Sequence, residues 1–150
     1  MKRFVFAVTV VSILLAILDQ LTKFFVIKYF LKPKILIDGF LKIIYSENTG
    51  IAFSIPFPFT LLMILTVFLI GLILYFSYKE LDLNKKLSIF SVSLVIGGAL
   101  GNLADRLAKG YVVDFLSIWK YPLFNLADVF IVAGILMLGL FYGRIKRNKN

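Results

Sequence analysis

Four apolar segments constrain the fold of this chain more than any other feature. Each is close to the roughly 20 residues that an α-helix needs to cross a bilayer. The chain has 150 residues, 61% of them hydrophobic and 17% charged, whereas a soluble domain is typically about 45–50% apolar and about 25% charged. We therefore predict one integral membrane domain, residues 1–150, with four transmembrane helices. The predicted helices cover residues of about 4–27, 57–78, 87–107 and 124–143.

The first apolar segment has the general form of a signal peptide, because it follows Lys2 and Arg3. However, no small-residue cleavage site follows a short apolar stretch, and Asp19 lies where cleavage would be expected. We therefore interpret the segment as a helix that is retained.

The basic residues predict how the helices are oriented. Cytoplasmic connections are richer in Lys and Arg, so we expect both termini in the cytoplasm and residues of about 28–56 and 108–121 on the outer side. This topology accounts for most of the net charge of +9, and we expect no nucleic-acid partner. The predicted cytoplasmic basic residues are Lys2, Arg3, Lys79, Lys85, Lys86, Arg144, Lys146, Arg147 and Lys149, and the outer ones are Lys32, Lys34, Lys42, Lys109 and Lys120.

The first outer connection is too apolar to be a freely solvated loop. It contains β-branched and aromatic runs, with turn signals at residues 38–39 and 48–50. This pattern predicts two or three short strands within residues of about 35–55, lying on the membrane surface or over the helix ends. The second outer connection, residues 111–121, combines Trp119 with Tyr and Lys, which favour the headgroup level. We predict that it crosses the interface into the fourth helix.

Two of the four aspartates near membrane depth have polar residues close by in the sequence. Asp19 and Lys23 are four residues apart on one helix, in the favourable order for an ion pair, and this favours a structural role. Asp105 lies in the motif GNLADRL with Asn102 and Arg106. We interpret that motif as a polar cluster that supports the helix ends or binds a substrate carbonyl.

Asp114 and Asp128 have no basic residue three or four positions away. A carboxylate in apolar surroundings is costly, so it usually marks a functional site. Two of them in one half of the chain suggest a shared proton, as in aspartic peptidases. Pro122 between them favours an extended segment and then a helix start, which lets both carboxylates meet at the outer membrane boundary. Asn125 is either a hydrogen-bond donor to one carboxylate or the N-cap of the fourth helix.

The chain contains no histidine and no cysteine. This excludes disulfides, thiolate ligands and the commonest general base, so hydrolytic chemistry would rest on Asp, Glu, Ser, Thr, Lys or Tyr. We expect no metal and no cofactor. The run GGALG at residues 97–101 lacks the Lys and Ser/Thr of a nucleotide-binding loop, and it favours close helix packing instead.

Five motifs occur in order along nearly the whole chain. Together they resemble lipoprotein signal peptidase, the type II signal peptidase of bacteria, and five at suitable spacings are far more specific than any one alone. They are DQLTK at 19–23, ENTGIAFS at 47–54, GGALGNLADRL at 97–107, YVVDF at 111–115 and FNLADVFIVAG at 124–134.

The resemblance implies a membrane all-α four-helix transmembrane bundle with a small extracytoplasmic β-cradle and an interfacial helix. It implies a monomeric aspartic endopeptidase of the bacterial cytoplasmic (inner) membrane, with its active site at the outer face. Such an enzyme removes signal peptides from prolipoproteins, cleaving before a lipobox cysteine that carries diacylglycerol. The implied partners are these substrates, membrane lipids and globomycin-type inhibitors.

The resemblance also assigns residues. It implies that Asp114 and Asp128 form the catalytic dyad. The implied positions for substrate binding or support are Asn48, Asn102, Arg106, Asn125, Asp19, Lys23 and Asp105.

Two other functions fit the acids considered by themselves. A small proton- or ion-coupled channel or transporter would also use intramembrane acids and Arg106. The small number of helices, the missing internal repeat and the sheet-like outer segment weigh against it. A structural membrane subunit is a third reading, and it would tolerate Asn at Asp114 and Asp128.

Overall fold

The computed structural model describes residues 1–51, 55 and 57–148. Helices occupy the four predicted apolar segments. Three of them are long and apolar enough to cross a membrane, as judged by length and composition, and α4 is a shorter apolar helix of 15 residues. That α4 also crosses the membrane stays a prediction. The helices are α1 (Lys2–Tyr29), α2 (Phe59–Glu80), α3 (Lys86–Lys109), α4 (Leu126–Leu140) and the short α5 (Tyr142–Ile145).

The fourth helix is shorter than the predicted range of 124–143. Its N-terminus is fixed by Asn125, which is the N-cap, and its C-cap is Phe141. Residue Phe124 forms an antiparallel bridge with Leu116, so the chain is still extended there. At the N-terminal end the difference arises because an apolar run does not show where a polar side chain will cap the helix.

Three antiparallel strands form one small sheet in the order β1-β2-β3. Two of them, β1 (Lys34–Ile37) and β2 (Leu41–Asn48), lie in the first outer connection, where strands were predicted. The third, β3 (Val112–Ile118), was missed, because its sequence was interpreted as an interface crossing. Residues 49–51 and 55 are not in a strand, and 52–54 lie outside the described residues. In the described connections between α1 and α2 and between α3 and α4 there is no helix, so the interfacial helix stays a prediction.

Helix α3 is the centre of the bundle, and three of its glycines allow close contact with α1 and α4. A Cβ added at Gly101 would lie 2.6 Å from Oδ2 of Asp19, and one at Gly97 would lie 2.8 Å from Cβ of Leu15. A Cβ at Gly98 would overlap the carbonyl oxygen of Ala127. These contacts confirm the packing interpretation of GGALG and bring the polar residues of α1, α3 and α4 together.

The end of the bundle away from the sheet is closed by the C-terminal residues. Leu81, which follows α2, bridges Lys146, and the backbone N–H of Asp82 donates to the carbonyl oxygen of Ile145 at 2.8 Å. Leu81 and Ile145 are fully buried. The polar site therefore lies at the other end, where the sheet covers the helices.

Candidate active site

Asp114 and Asp128 line one cavity of about 240 Å³ between the sheet and the helix ends. Asp114 comes from β3 and Asp128 from the first turn of α4. Three of the other predicted site residues, Asn48, Asn102 and Arg106, line the same cavity. The structure thus gathers side chains from β2, α3, β3 and α4 at one place.

Asp114 is buried and is held by two side-chain amides. Asn48 donates from Nδ2 to Oδ2 of Asp114 at 2.9 Å, and Asn125 donates from Nδ2 to Oδ1 at 2.8 Å. Burial raises the pKa of Asp114 to about 6, and the negative charge of Asp128 acts in the same direction, although the bonds from Asn48 and Asn125 oppose the shift. A carboxyl with this pKa can hold a proton that an exposed aspartate would lose.

Asp128 is fixed by the start of α4. Its Oδ2 accepts from the backbone N–H of Asn125 at 3.1 Å, while the backbone N–H of Asp128 donates to Oδ1 of Asn125 at 3.0 Å. This reciprocal pair is a capping box. Oδ1 of Asp128 accepts from Nδ2 of Asn102 at 2.8 Å. Because a helix N-terminus favours negative charge, the position suits an ionised carboxylate.

Asn125 fulfils both roles that the sequence left open. Its Oδ1 caps α4, and the two N–H bonds of its Nδ2 go to Oδ1 of Asp114 and to Oδ1 of Asn102, the latter at 3.0 Å. It is fully buried, and it uses both amide donors. One side chain therefore connects the two acids.

Lys23 fixes the orientation of Asn102. Its Nζ lies 2.7 Å from Oδ2 of Asp19, 3.1 Å from Oδ2 of Asp105 and 3.1 Å from Oδ1 of Asn102. An ammonium group only donates hydrogen bonds, so the oxygen of Asn102 must face Lys23. The NH₂ group of Asn102 is thereby directed at Asp128. The predicted Asp19–Lys23 ion pair is confirmed.

We refer to Lys23, Asp19 and Asp105, which are fully buried, as the buried clamp. Oδ1 of Asp19 accepts from the backbone N–H of Ala127 at 2.9 Å, and Oδ2 of Asp105 accepts from that of Val113 at 3.0 Å. Ala127 directly precedes Asp128, and Val113 directly precedes Asp114. The clamp therefore holds the backbone beside each member of the pair.

Two supporting residues were missed at the sequence level. Gln20 donates from Nε2 to the carbonyl oxygen of Gly101 at 3.0 Å and to Oδ1 of Asp105 at 3.1 Å. Lys109 lies 2.8 Å from Oδ1 of Asp105. The Lys109 pair could have been predicted from its four-residue spacing, the rule that predicted Asp19–Lys23. For Gln20, the only signal is an amide beside an acid in an apolar helix.

Arg106 lies at the edge of the cavity. Its Nη2 donates to the carbonyl oxygen of Gly50 at 3.4 Å, and its charge attracts those of Asp114 and Asp128. Arg106 thus connects the β2–α2 connection to α3. Among the residues that the structure describes, no group of three or more His, Cys, Asp or Glu could hold a metal ion.

The fold and the site define a helical membrane protein with a buried pair of carboxylates beneath a small sheet. A family model described as Signal peptidase (SPase) II matches residues 11–143. The chain therefore belongs to the signal peptidase II family and is a membrane peptidase, as the five motifs predicted.

Individual relatives agree with this assignment. The lipoprotein signal peptidase of Caldicellulosiruptor bescii is 45% identical over 124 residues, covering 81% of each chain. That of Moorella thermoacetica is 38% identical over 129 residues, covering 85% of this chain and 86% of the relative. A solved structure described as a bacterial membrane enzyme is similar with a TM-score of 0.79 and 28% identity, covering 95% of this chain and 93% of the other.

Proposed function

We propose that this protein removes signal peptides from prolipoproteins by aspartic catalysis, with Asp114 and Asp128 as the dyad. The bond cleaved would be the one before a lipobox cysteine that carries diacylglycerol. The observation that carries the proposal is the placement of both carboxylates on one cavity, with the N–H groups of three asparagines as their donors. The substrate class is supported by the relatives, which are named lipoprotein signal peptidases. Neither the geometry of the cavity nor the similarity to these relatives favours a channel or transporter.

We infer that the shared proton resides on Asp114. Two nearby carboxyls in a site of low dielectric cannot easily both ionise. Burial raises the pKa of Asp114 to about 6, whereas Asp128 lies at a helix N-terminus that favours its charged form. We therefore assign Asp128 as the general base and Asp114 as the general acid.

In the first step, Asp128 takes a proton from a water molecule, and the hydroxyl oxygen bonds to the scissile carbonyl carbon. Asp114 gives its proton to the carbonyl oxygen, which yields a neutral diol intermediate. In the second step, Asp114 recovers a proton from one hydroxyl as the carbonyl forms again. Asp128 gives its proton to the leaving nitrogen, and the C–N bond breaks. Both acids end in their starting states.

The amides and Arg106 would position the reacting groups. Asn48 holds Oδ2 of Asp114, and Asn102 holds Oδ1 of Asp128, so each carboxylate keeps its remaining lone pairs for water or substrate. Arg106 would hold the Gly50 carbonyl over the cavity. This contact would position the β2–α2 connection against a bound peptide.

We also propose four membrane crossings in a bacterial cytoplasmic membrane, with both termini inside and the site outside. The sheet would act as the β-cradle of a monomer, and globomycin-type cyclic peptides would compete with the substrate. Because the chain has no cysteine, single cysteines at Asp38 and Asn84 can be labelled selectively in intact cells. An impermeant maleimide should label the first and not the second, and the reverse pattern would refute the topology.

The decisive experiment compares Asp114→Asn and Asp128→Asn with wild type on a diacylglyceryl-modified prolipoprotein. We expect each variant to fold and to lose about 10³-fold or more in turnover, since general acid–base catalysis contributes about 10²–10⁴-fold. Asp38→Asn, at an exposed turn, is the matched control and should cleave normally. Turnover by a dyad variant within about tenfold of wild type would remove the dyad from the mechanism.

A further inference from the structure

The sheet ends in an exposed aromatic surface, which we call the tip and define as Phe40, Trp119, Lys120 and Tyr121. Phe40 is 52% exposed, Trp119 70% and Tyr121 62%. The backbone N–H of Trp119 donates to the carbonyl oxygen of Phe40 at 2.6 Å. The β1–β2 turn and the residues after β3 are therefore joined into one surface, which lies at the far end of the sheet from Asn48.

Trp119 has a backbone conformation that a bulky side chain rarely adopts. Its φ is 47°, and it is the one non-glycine residue with positive φ in the described part of the chain. This conformation costs free energy, and such strain is concentrated at functional positions. The bond from Trp119 to Phe40, and a second one from the backbone N–H of Tyr121 to the carbonyl oxygen of Ile118 at 2.9 Å, hold the backbone in this turn. The turn presents the indole to the outside of the protein, where it is mostly exposed.

A lysine accompanies the aromatic rings. Nζ of Lys120 lies 5.5 Å from the centre of the Trp119 ring. Two more lysines lie near aromatic rings where α1 ends and β1 begins. Nζ of Lys28 lies 5.2 Å from the centre of the Tyr29 ring, and Nζ of Lys34 lies 5.3 Å from that of the Phe30 ring. Trp and Tyr favour the headgroup level of a bilayer, and lysines there are attracted to anionic lipids.

An apolar groove of about 570 Å³ begins at the tip and follows α4. Phe124, Val129, Val132 and Leu136 are among its lining residues, and Asp128 borders it. A lysine beside the mouth of an apolar groove matches a phosphate attached to an acyl chain. An uncharged lipid would fit the groove but would have no phosphate to contact Lys120.

We propose that the tip and groove bind one anionic phospholipid, with its phosphate against Lys120 and an acyl chain along α4. The aromatic rings of the tip lie at the level of the glycerol. The groove borders the catalytic cavity and shares Tyr121, Phe124, Asp128 and Val132 with it, whereas Lys120 does not line that cavity. The bound lipid holds the sheet at a fixed depth above the dyad.

Trp119 is the single tryptophan of the chain, so its fluorescence reports on the tip directly. We would reconstitute the full chain into vesicles that contain either brominated phosphatidylglycerol or brominated phosphatidylcholine, whose bromines quench nearby indoles. We expect the anionic lipid to bind at the tip about fivefold more strongly, which is the preference that one lysine near the surface confers. Lys120→Gln should reduce the ratio to about one.

Lys79→Gln is the matched control, because Nζ of Lys79 lies 5.8 Å from the centre of the Tyr75 ring at the other end of the bundle. It should keep the fivefold preference. Equal quenching by the two lipids in wild type, absence of quenching, or an unchanged ratio in Lys120→Gln would each overturn the proposal. So would stronger quenching by brominated diacylglycerol at equal mole fraction, which would assign the groove to an uncharged lipid.

Discussion

Asn125 donates a 2.8 Å hydrogen bond from Nδ2 to Oδ1 of Asp114, and this bond joins the N-cap of α4 to the strand β3. The same residue exchanges two hydrogen bonds with Asp128 in the capping box. Asn125 therefore helps to set the relative position of the two carboxylates, together with Asn48, Asn102 and the buried clamp. Asn125 thus has two roles: it caps α4, and it donates a hydrogen bond that positions Asp114.

Asn125→Ser should separate these two roles. A serine hydroxyl is also a good N-cap, so it can accept from the backbone N–H of Asp128, but it is too short to reach Asp114. We expect a melting temperature close to wild type and a fall in turnover of roughly 10²-fold, because small displacements of reacting groups are that costly. Asn125→Ala should lose the cap as well, at about 1 kcal/mol of stability. Thermal unfolding in detergent measures the stability of each variant, and initial cleavage rates measure its turnover. Wild-type turnover by Asn125→Ser would exclude the positioning role.

The pairing of acids with nearby bases could be predicted from sequence, because a helix brings residues four apart to one face. This rule identified Asp19 with Lys23. It also left Asp114 and Asp128 as the acids without a local partner. Their meeting on one cavity follows from the Pro122 break and the helix start after it.

The other features of the site and the fold depend on contacts between distant parts of the chain, so they could not be predicted from the sequence. The ion pair of Lys23 with Asp105 joins α1 to α3, and no local pattern indicates it. The strand β3 was missed because its first four residues are all buried, which removes the alternation by which half-buried strands are recognised. The orientation of each amide is decided by its three-dimensional neighbours, so it could not be predicted either.

The stability of the protein should fall as the pH rises from about 4 to about 6. The pKa of Asp114 is raised from 3.8 to about 6 by burial, so the folded state holds a proton in this range that the unfolded state has lost. The resulting stabilisation is complete below about pH 4 and is lost by about pH 6, with a magnitude of about 3 kcal/mol. Asp114→Asn should remove this component of the pH dependence. Unfolding free energies at pH 4 and pH 7 for both proteins test it, and equal pH dependence would contradict the assigned pKa.

Gly98→Ala should displace α4 from α3. The added Cβ would overlap the carbonyl oxygen of Ala127, one residue before Asp128, and backbone cannot move aside as a flexible side chain can. We expect a loss of about 1–3 kcal/mol in stability together with reduced turnover. Gly139→Ala, in α4 with nothing within 4 Å of the added Cβ, is the control and should be neutral or slightly stabilising. If both substitutions behaved alike, the close contact at Gly98 would not hold the site.

Lys23→Met should damage the protein through the buried clamp. The substitution leaves the carboxylates of Asp19 and Asp105 close together and without their shared cation, and breaking a buried ion pair costs about 3–5 kcal/mol. It also frees the amide of Asn102 to turn its oxygen toward Asp128. We therefore expect kcat to fall even at temperatures where the variant is folded, with little change in KM, because the loss is in the alignment of the acids and not in substrate binding. Lys28→Met, on the same helix but exposed, should change stability by less than about 0.5 kcal/mol and leave kcat unchanged. A folded Lys23→Met protein with wild-type kcat would show that the clamp supports the fold alone.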